Sequence, residues 1–124
     1  MNDVGTIGIL GGGQLGRMLS VAASRLGLRC HIFEPGAAPA GDVAWRLTTA
    51  PYEDVDALRA FAESVDLITY EFENVPTSAL DLLESIRPIR PNRRALAVLD
   101  QMYAYHDQEP LTDVVDFGYD DAAA

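Results

Sequence analysis

A chain of 124 residues, 48% hydrophobic and 23% charged, has room for one ordinary domain with a real core and excludes two full ones. Its net charge of −10, carried against nine arginines and no lysine, excludes a nucleic-acid partner, because a surface for phosphodiester backbone needs clustered positive charge. A lone cysteine, Cys30, excludes a disulfide framework and a cysteine metal cluster, and no apolar run reaches the roughly 18 residues of a membrane span.

No basic region precedes the first apolar stretch, so the expected location is cytoplasmic, with no membrane partner. The charge is unevenly spread. Residues 1–98 hold nine Arg against 12 Asp and Glu, a net −3, whereas residues 99–124 hold seven acidic residues and no Lys or Arg, a net −7. The chain changes character near residue 99, which divides it into an expected domain at 1–98 and an acidic segment at 99–124.

Val4-Gly5-Thr6-Ile7-Gly8-Ile9-Leu10 reads as a buried strand. It runs into Gly11-Gly12-Gly13-Gln14-Leu15-Gly16-Arg17, a glycine turn followed by apolar residues of helical period. Leu15, Met18, Leu19, Ala22, Ala23 and Leu26 form one apolar face, and Gly27 is placed to end the helix. Arg29 to Glu34 reads as a second strand closed by Pro35-Gly36. Ala37 to Asp42 is a loop, and Ala44 to Thr48 a short strand. Val55, Leu58, Phe61, Ala62 and Val65 mark a second helix, opened by Glu53, Asp54 and Asp56, which suit its positive end. Asp66 to Tyr70 is the next strand. Pro76 stops the chain beyond it, and Thr77 is expected to cap a third helix carrying Leu80, Leu83 and Ile86. A short strand around Arg87 to Arg90 and a helix from about Arg93 follow. Strands alternating with helices predict an α/β fold, a doubly wound, mainly parallel sheet covered on both faces.

At a strand-to-helix turn, Gly11-x-Gly13-x-x-Gly16 is a ligand-loop candidate. Glycine lets a ligand approach the main chain, and the helix offers unpaired N–H groups. An anion, above all a phosphate, is the expected occupant. Glu34 stands 18 positions after Gly16, where a dinucleotide fold holds a ribose hydroxyl, so the residues by themselves favour NAD or FAD. The second candidate is Glu71-Phe72-Glu73-Asn74, whose carboxylates and amide could meet ribose hydroxyls and an amine at the same sheet edge. His31 and His106 lack partners at triad or ligand spacing and read as structural or solvated. Trp45 reads as packing, Cys30 as a buried thiol, and Arg87, Arg90, Arg93 and Arg94 as solvated surface. No catalytic triad, metal motif or P-loop lysine can be assigned.

Ile9-Leu10-Gly11-Gly12-Gly13-Gln14-Leu15-Gly16-Arg17-Met18-Leu19, with Asp66-Leu67-Ile68-Thr69-Tyr70-Glu71-Phe72-Glu73-Asn74-Val75-Pro76, closely resembles the N-terminal, pre-ATP-grasp domain of 5-(carboxyamino)imidazole ribonucleotide synthases, ATP-grasp ligases of de novo purine synthesis. The resemblance covers about residues 4–98 and extends to Arg87-Pro88-Ile89-Arg90-Pro91. It implies a Rossmann-like domain whose family joins 5-aminoimidazole ribonucleotide to bicarbonate using ATP and magnesium. It further implies that Gly13, Gln14, Leu15, Glu73 and Asn74 face the ribonucleotide, and that Glu34 is a loop contact. The family's ATP and magnesium residues belong to domains that have no counterpart here, and residues 99–124 do not match. The expectation is therefore a substrate-binding portion, inactive alone, with no catalytic, cofactor or metal residues of its own. The alternatives are a small NAD- or FAD-binding module, or an interaction fragment that self-associates through the face left by the missing domains.

Overall fold

The computed structural model describes residues 5–71, 75–92 and 101–102. Four parallel strands, β1 (Thr6–Leu10), β2 (Arg29–Phe33), β3 (Arg46–Thr48) and β4 (Leu67–Tyr70), form one sheet in the order β3-β2-β1-β4. The helices are α1 (Gln14–Arg25), α2 (Val55–Glu63) and α3 (Thr77–Glu84), with a 3₁₀ turn at Pro39–Asp42. Beyond β4, Ile89 makes a parallel bridge with Ile68, tied by Ile68 N–H to Pro88 O at 2.9 Å and Arg90 N–H to Ile68 O at 2.8 Å. The strand expected around Arg87 to Arg90 is thus reduced to a single bridge. Residues Met1–Asn92 make one compact unit, and Gln101 and Met102, helical and exposed, belong to a second that begins at Arg93.

Both faces of the sheet are covered, as alternating side chains on buried parallel strands require. Leu10, Phe33 and Ile68 point to one face and pack with Leu58, Phe61, Ala62 and Val65 from α2 and its C-terminal end and with Ala79 and Leu83 of α3. Ile9, Cys30 and Ile32 point to the other and pack with Ala23 of α1 and Ala40 of the 3₁₀ turn. Gly8 is what lets α2 lie close: a Cβ there would sit 2.7 Å from Phe61 Cζ.

Helix boundaries follow local chemistry, with one exception. Asp54 caps α2, its carboxylate accepting from Ala57 N–H at 3.0 Å. Gly27 ends α1 with φ of +79°, a conformation that favours glycine, and Leu28 N–H returns to Ala23 O at 2.9 Å. Thr77, however, is the first helical residue of α3 rather than its cap. Pro76 occupies the capping position with φ of −56° and no side-chain hydrogen bond, its ring having already fixed the entry geometry.

Of the apolar face read for α1, only Ala23 is buried. Its buried residues are Gly16, Ser20 and Ala23, while Leu15, Met18, Leu19 and Leu26 are exposed. The start of the helix lies too close to the glycine turn for large side chains. A Cβ on Gly16 would stand 2.7 Å from Gly11 O, and Ser20 folds its hydroxyl back onto Gly16 O at 2.9 Å. The larger residues flank this seam, where Leu19, Ala22 and Leu26 meet Ile7, Ile9, Leu28 and Thr69 around a groove of about 190 Å³.

Candidate functional site

Parallel register brings the strand ends to one edge. Leu10 pairs with Phe33 on one side and Tyr70 on the other, so Gly11, Glu34 and Glu71 are the first residues to leave the sheet together. The chain crosses from β1 to β2 in one direction and places β4 on the opposite side of β1. The crevice beyond β1 and β4 is therefore the switch point at which open parallel sheets bind ligands. The glycine turn and Glu71 flank it.

Hydrogen bonds account for nearly every N–H of the turn. Gly11 N–H donates to Phe33 O at 2.9 Å. Gly12 N–H donates to Glu34 Oε1 at 2.8 Å, and the same carboxylate takes Gly36 N–H on Oε2 at 2.9 Å. Gly13 N–H and Gly16 N–H donate to Glu71 Oε1 and Oε2 at 2.9 and 2.7 Å. Arg17 N–H begins the helical ladder on Gly13 O. The N–H groups of Gln14 and Leu15 remain, with no partner among the described residues.

This corrects the expectation of a phosphate in the turn. The anion at the N-terminus of α1 is the chain's own Glu71, placed where the N–H groups and the helix dipole favour negative charge. Gly11 accommodates it, with φ of +110° and no Cβ, since a Cβ would fall 2.7 Å from Glu71 Oε1. Glu34 is 9% exposed with both oxygens engaged, so it is a loop brace and not the reader of an adenosine ribose. The dinucleotide alternative loses both of its anchors.

Of the residues expected to face substrate, Gly13, Gln14 and Leu15 lie together at the switch point. Gly13 is half-buried with its N–H taken by Glu71, while Gln14 and Leu15 are exposed on the first turn of α1. Glu73 and Asn74 lie outside the described residues. Arg17 leaves the turn to grip the 3₁₀ segment. Its Nη1 reaches Asp42 Oδ1 and Oδ2 at 2.5 and 2.6 Å and Pro39 O at 3.4 Å, and the guanidinium holds the Asp42 carboxyl below its ordinary range.

His31 is removed from this edge and built into the core. Its Nδ1 lies 2.6 Å from Ser64 Oγ and its Nε2 2.7 Å from Thr48 Oγ1. Ser64 spends its hydroxyl proton on Phe61 O at 2.7 Å, so Nδ1 carries the ring proton and Nε2 accepts from Thr48. Burial, reinforced by the positive charge of Arg46, pushes its pKa down to about 4. Cys30 is buried, and burial raises its thiol pKa. Trp45 is 44% exposed, its ring flanked by the guanidinium groups of Arg29 and Arg46 at 4.9 and 4.5 Å. Arg87 is no solvated surface charge, for its Nε donates to Val65 O at 2.7 Å and its Nη1 to Ile86 O at 2.9 Å. His106, Arg93 and Arg94 lie outside the described residues.

No group of three or more His, Cys, Asp or Glu among the described residues is placed to hold a metal ion, and no helix among them is long and apolar enough to cross a membrane. The turn's occupied N–H groups and this donor set do not fit a magnesium nucleotide. What Glu71 does was missed in the sequence because the residue that closes a glycine turn arrives from 55 positions away. The one available signal is a glutamate directly after a strand, and it names no partner.

A parallel α/β sheet with a switch-point turn sealed by internal carboxylates defines a nucleotide-fold domain adapted to something other than a dinucleotide. The profile of the ribonucleotide synthetase preATP-grasp domain matches residues 4–100, and the chain belongs to that family. It is 52% identical over 94 residues to N5-carboxyaminoimidazole ribonucleotide synthase of Brucella melitensis, covering 75% of this chain and 26% of that one. The crystal structure of N5-carboxyaminoimidazole ribonucleotide synthetase from Thermus thermophilus superposes with a TM-score of 0.68 at 49% identity, over 74% of this chain and 26% of the other. The N5-carboxyaminoimidazole synthase of Aspergillus clavatus, solved with ADP and 5-aminoimidazole ribonucleotide, superposes with a TM-score of 0.66 at 33% identity, over 78% and 26%. The chain thus spans about a quarter of the length of the relatives it matches.

Proposed function

We propose that this chain is the ribonucleotide-binding N-terminal portion of an ATP-dependent ligase that carboxylates 5-aminoimidazole ribonucleotide with bicarbonate. The observation that carries this is the pair of N–H groups on Gln14 and Leu15 at the switch-point crevice, unpartnered among the described residues, beside Glu71, which Glu73 and Asn74 follow in sequence. Membership of the family and the ribonucleotide bound to the Aspergillus clavatus relative support it. In this reading Gln14 and Leu15 donate to the substrate from the main chain, Gly13 permits its approach, and Glu73 and Asn74 meet hydroxyls or the amine. Residues 1–98 form the binding domain and 99–124 a separate acidic segment, in a cytoplasmic enzyme of purine synthesis.

Stabilising a transferring phosphoryl group takes fixed cations and metal ligands. ATP and magnesium therefore act through domains that complete the site, and the chain alone does not turn over. Titration with 5-aminoimidazole ribonucleotide tests the reading. Weak binding is expected, reduced about tenfold, the equivalent of one hydrogen bond, by Glu73→Ala, which removes a side-chain acceptor, or by Gln14→Pro, which removes the main-chain N–H at the first helical position of α1. Equal affinity in both variants and the parent would remove it, as would ATP hydrolysis by the purified chain dependent on that ribonucleotide.

A further inference from the structure

Glu71 occupies the place of a ligand. In this topology the N–H groups at the start of the first helix receive the oxygens of a bound anion. Here two oxygens of one side chain take Gly13 N–H and Gly16 N–H, Glu34 takes Gly12 N–H, and the absent Cβ of Gly11 makes the room. A second anion would find these donors spent and a carboxylate at contact distance, where like charges repel. Among the described residues, what is still offered to the crevice is the N–H pair of Gln14 and Leu15, suited to a hydroxyl or carbonyl oxygen.

We propose that Glu71 is a built-in anion that closes the turn to phosphate, so that the turn selects the uncharged end of its ligand and the ligand's phosphate is bound by residues elsewhere. The identity of the ligand rests on the ribonucleotide assignment above, whereas the exclusion of phosphate rests on the hydrogen bonds of the turn. Glu71 is thereby a specificity-determining and positioning residue.

The test uses the ¹⁵N-labelled chain titrated with pyrophosphate at constant ionic strength, with amide shifts as the readout. The parent chain is expected to show no saturable shift at Gly12, Gly13, Gln14, Leu15 or Gly16. Glu71→Ala releases two N–H groups and is expected to bind pyrophosphate at least tenfold more tightly, with saturable shifts at Gly13 and Gly16. Glu71→Gln keeps the volume and one acceptor, and is expected to show a smaller gain if the alanine variant fails to fold. Saturable shifts at any of these amides in the parent chain would overturn the proposal, and so would folded variants that bind no more tightly than the parent. Failure of the ribonucleotide assignment has a different signature, in which 5-aminoimidazole ribonucleotide leaves Gln14 and Leu15 unmoved in the parent chain whatever pyrophosphate does.

Discussion

His31 offers a test in which sign and size both follow from its surroundings. A histidine is the usual candidate for proton transfer near neutral pH, yet this ring is 2% exposed and hydrogen-bonded on both nitrogens. It also packs edge-on against Phe61 with ring centroids 4.8 Å apart. Its pKa falls from 6.5 to about 4 through burial and then Arg46, so the folded chain resists a proton that the unfolded chain accepts. Stability from this group is complete above the unfolded value and is lost as pH falls through 6.5 towards 4. At about 1.4 kcal/mol per unit, the loss by pH 4 is about 3 kcal/mol. Carboxylates titrate in the same range, so the contribution is isolated by comparison with His31→Gln, whose side chain stays neutral. Urea unfolding at pH 7 and pH 4 is expected to show the stability difference between parent and variant shrinking by about 3 kcal/mol. A constant difference, or an imidazole resonance that titrates near 6.5, would refute the argument.

Two further outcomes follow from the packing of α1. Alanine for glycine in a helix normally gains about 1 kcal/mol, but Gly16→Ala is expected to lose roughly 1–3 kcal/mol from overpacking. Its Cβ would meet Gly11 O at 2.7 Å, and Gly11 is itself tied to Phe33. A higher urea midpoint for this variant would show that the turn yields. The exposed row of Leu15, Met18, Leu19 and Leu26 is expected to drive self-association, which sedimentation velocity over a range of concentrations should detect. Met18→Lys with Leu26→Lys should then give a monomer; a parent chain that is monomeric throughout would show that the row carries no such role.

Much of the architecture was legible because it is written in local chemistry. The strand before the glycines, the glycine stop at Gly27, the acidic cap at Asp54 and the proline at Pro76 each act within a few residues of themselves. The alternation of the two periods was enough to call for a parallel α/β sheet. Periodicity told less about α1, since it shows where apolar residues lie and not how closely a helix approaches its sheet. Gly16, Ser20 and Ala23 form the seam because distance, not hydrophobicity, selects at that contact. The glycine turn was readable as a motif, but the partners of its N–H groups were not.

By itself, then, the sequence determined the alternation of elements from β1 to α3, the family and the position of the glycine turn at a strand end. Which groups answer that turn's N–H donors was left to the tertiary structure. Hydrogen bonds between Gly12 and Glu34, and between Gly13, Gly16 and Glu71, span 22, 58 and 55 positions, and no local pattern encodes a register between strands that distant. Only when β2 and β4 align on either side of β1 do two carboxylates reach the turn. A motif that suggests a phosphate cradle becomes one already filled, because the strongest acceptors within reach belong to the chain itself.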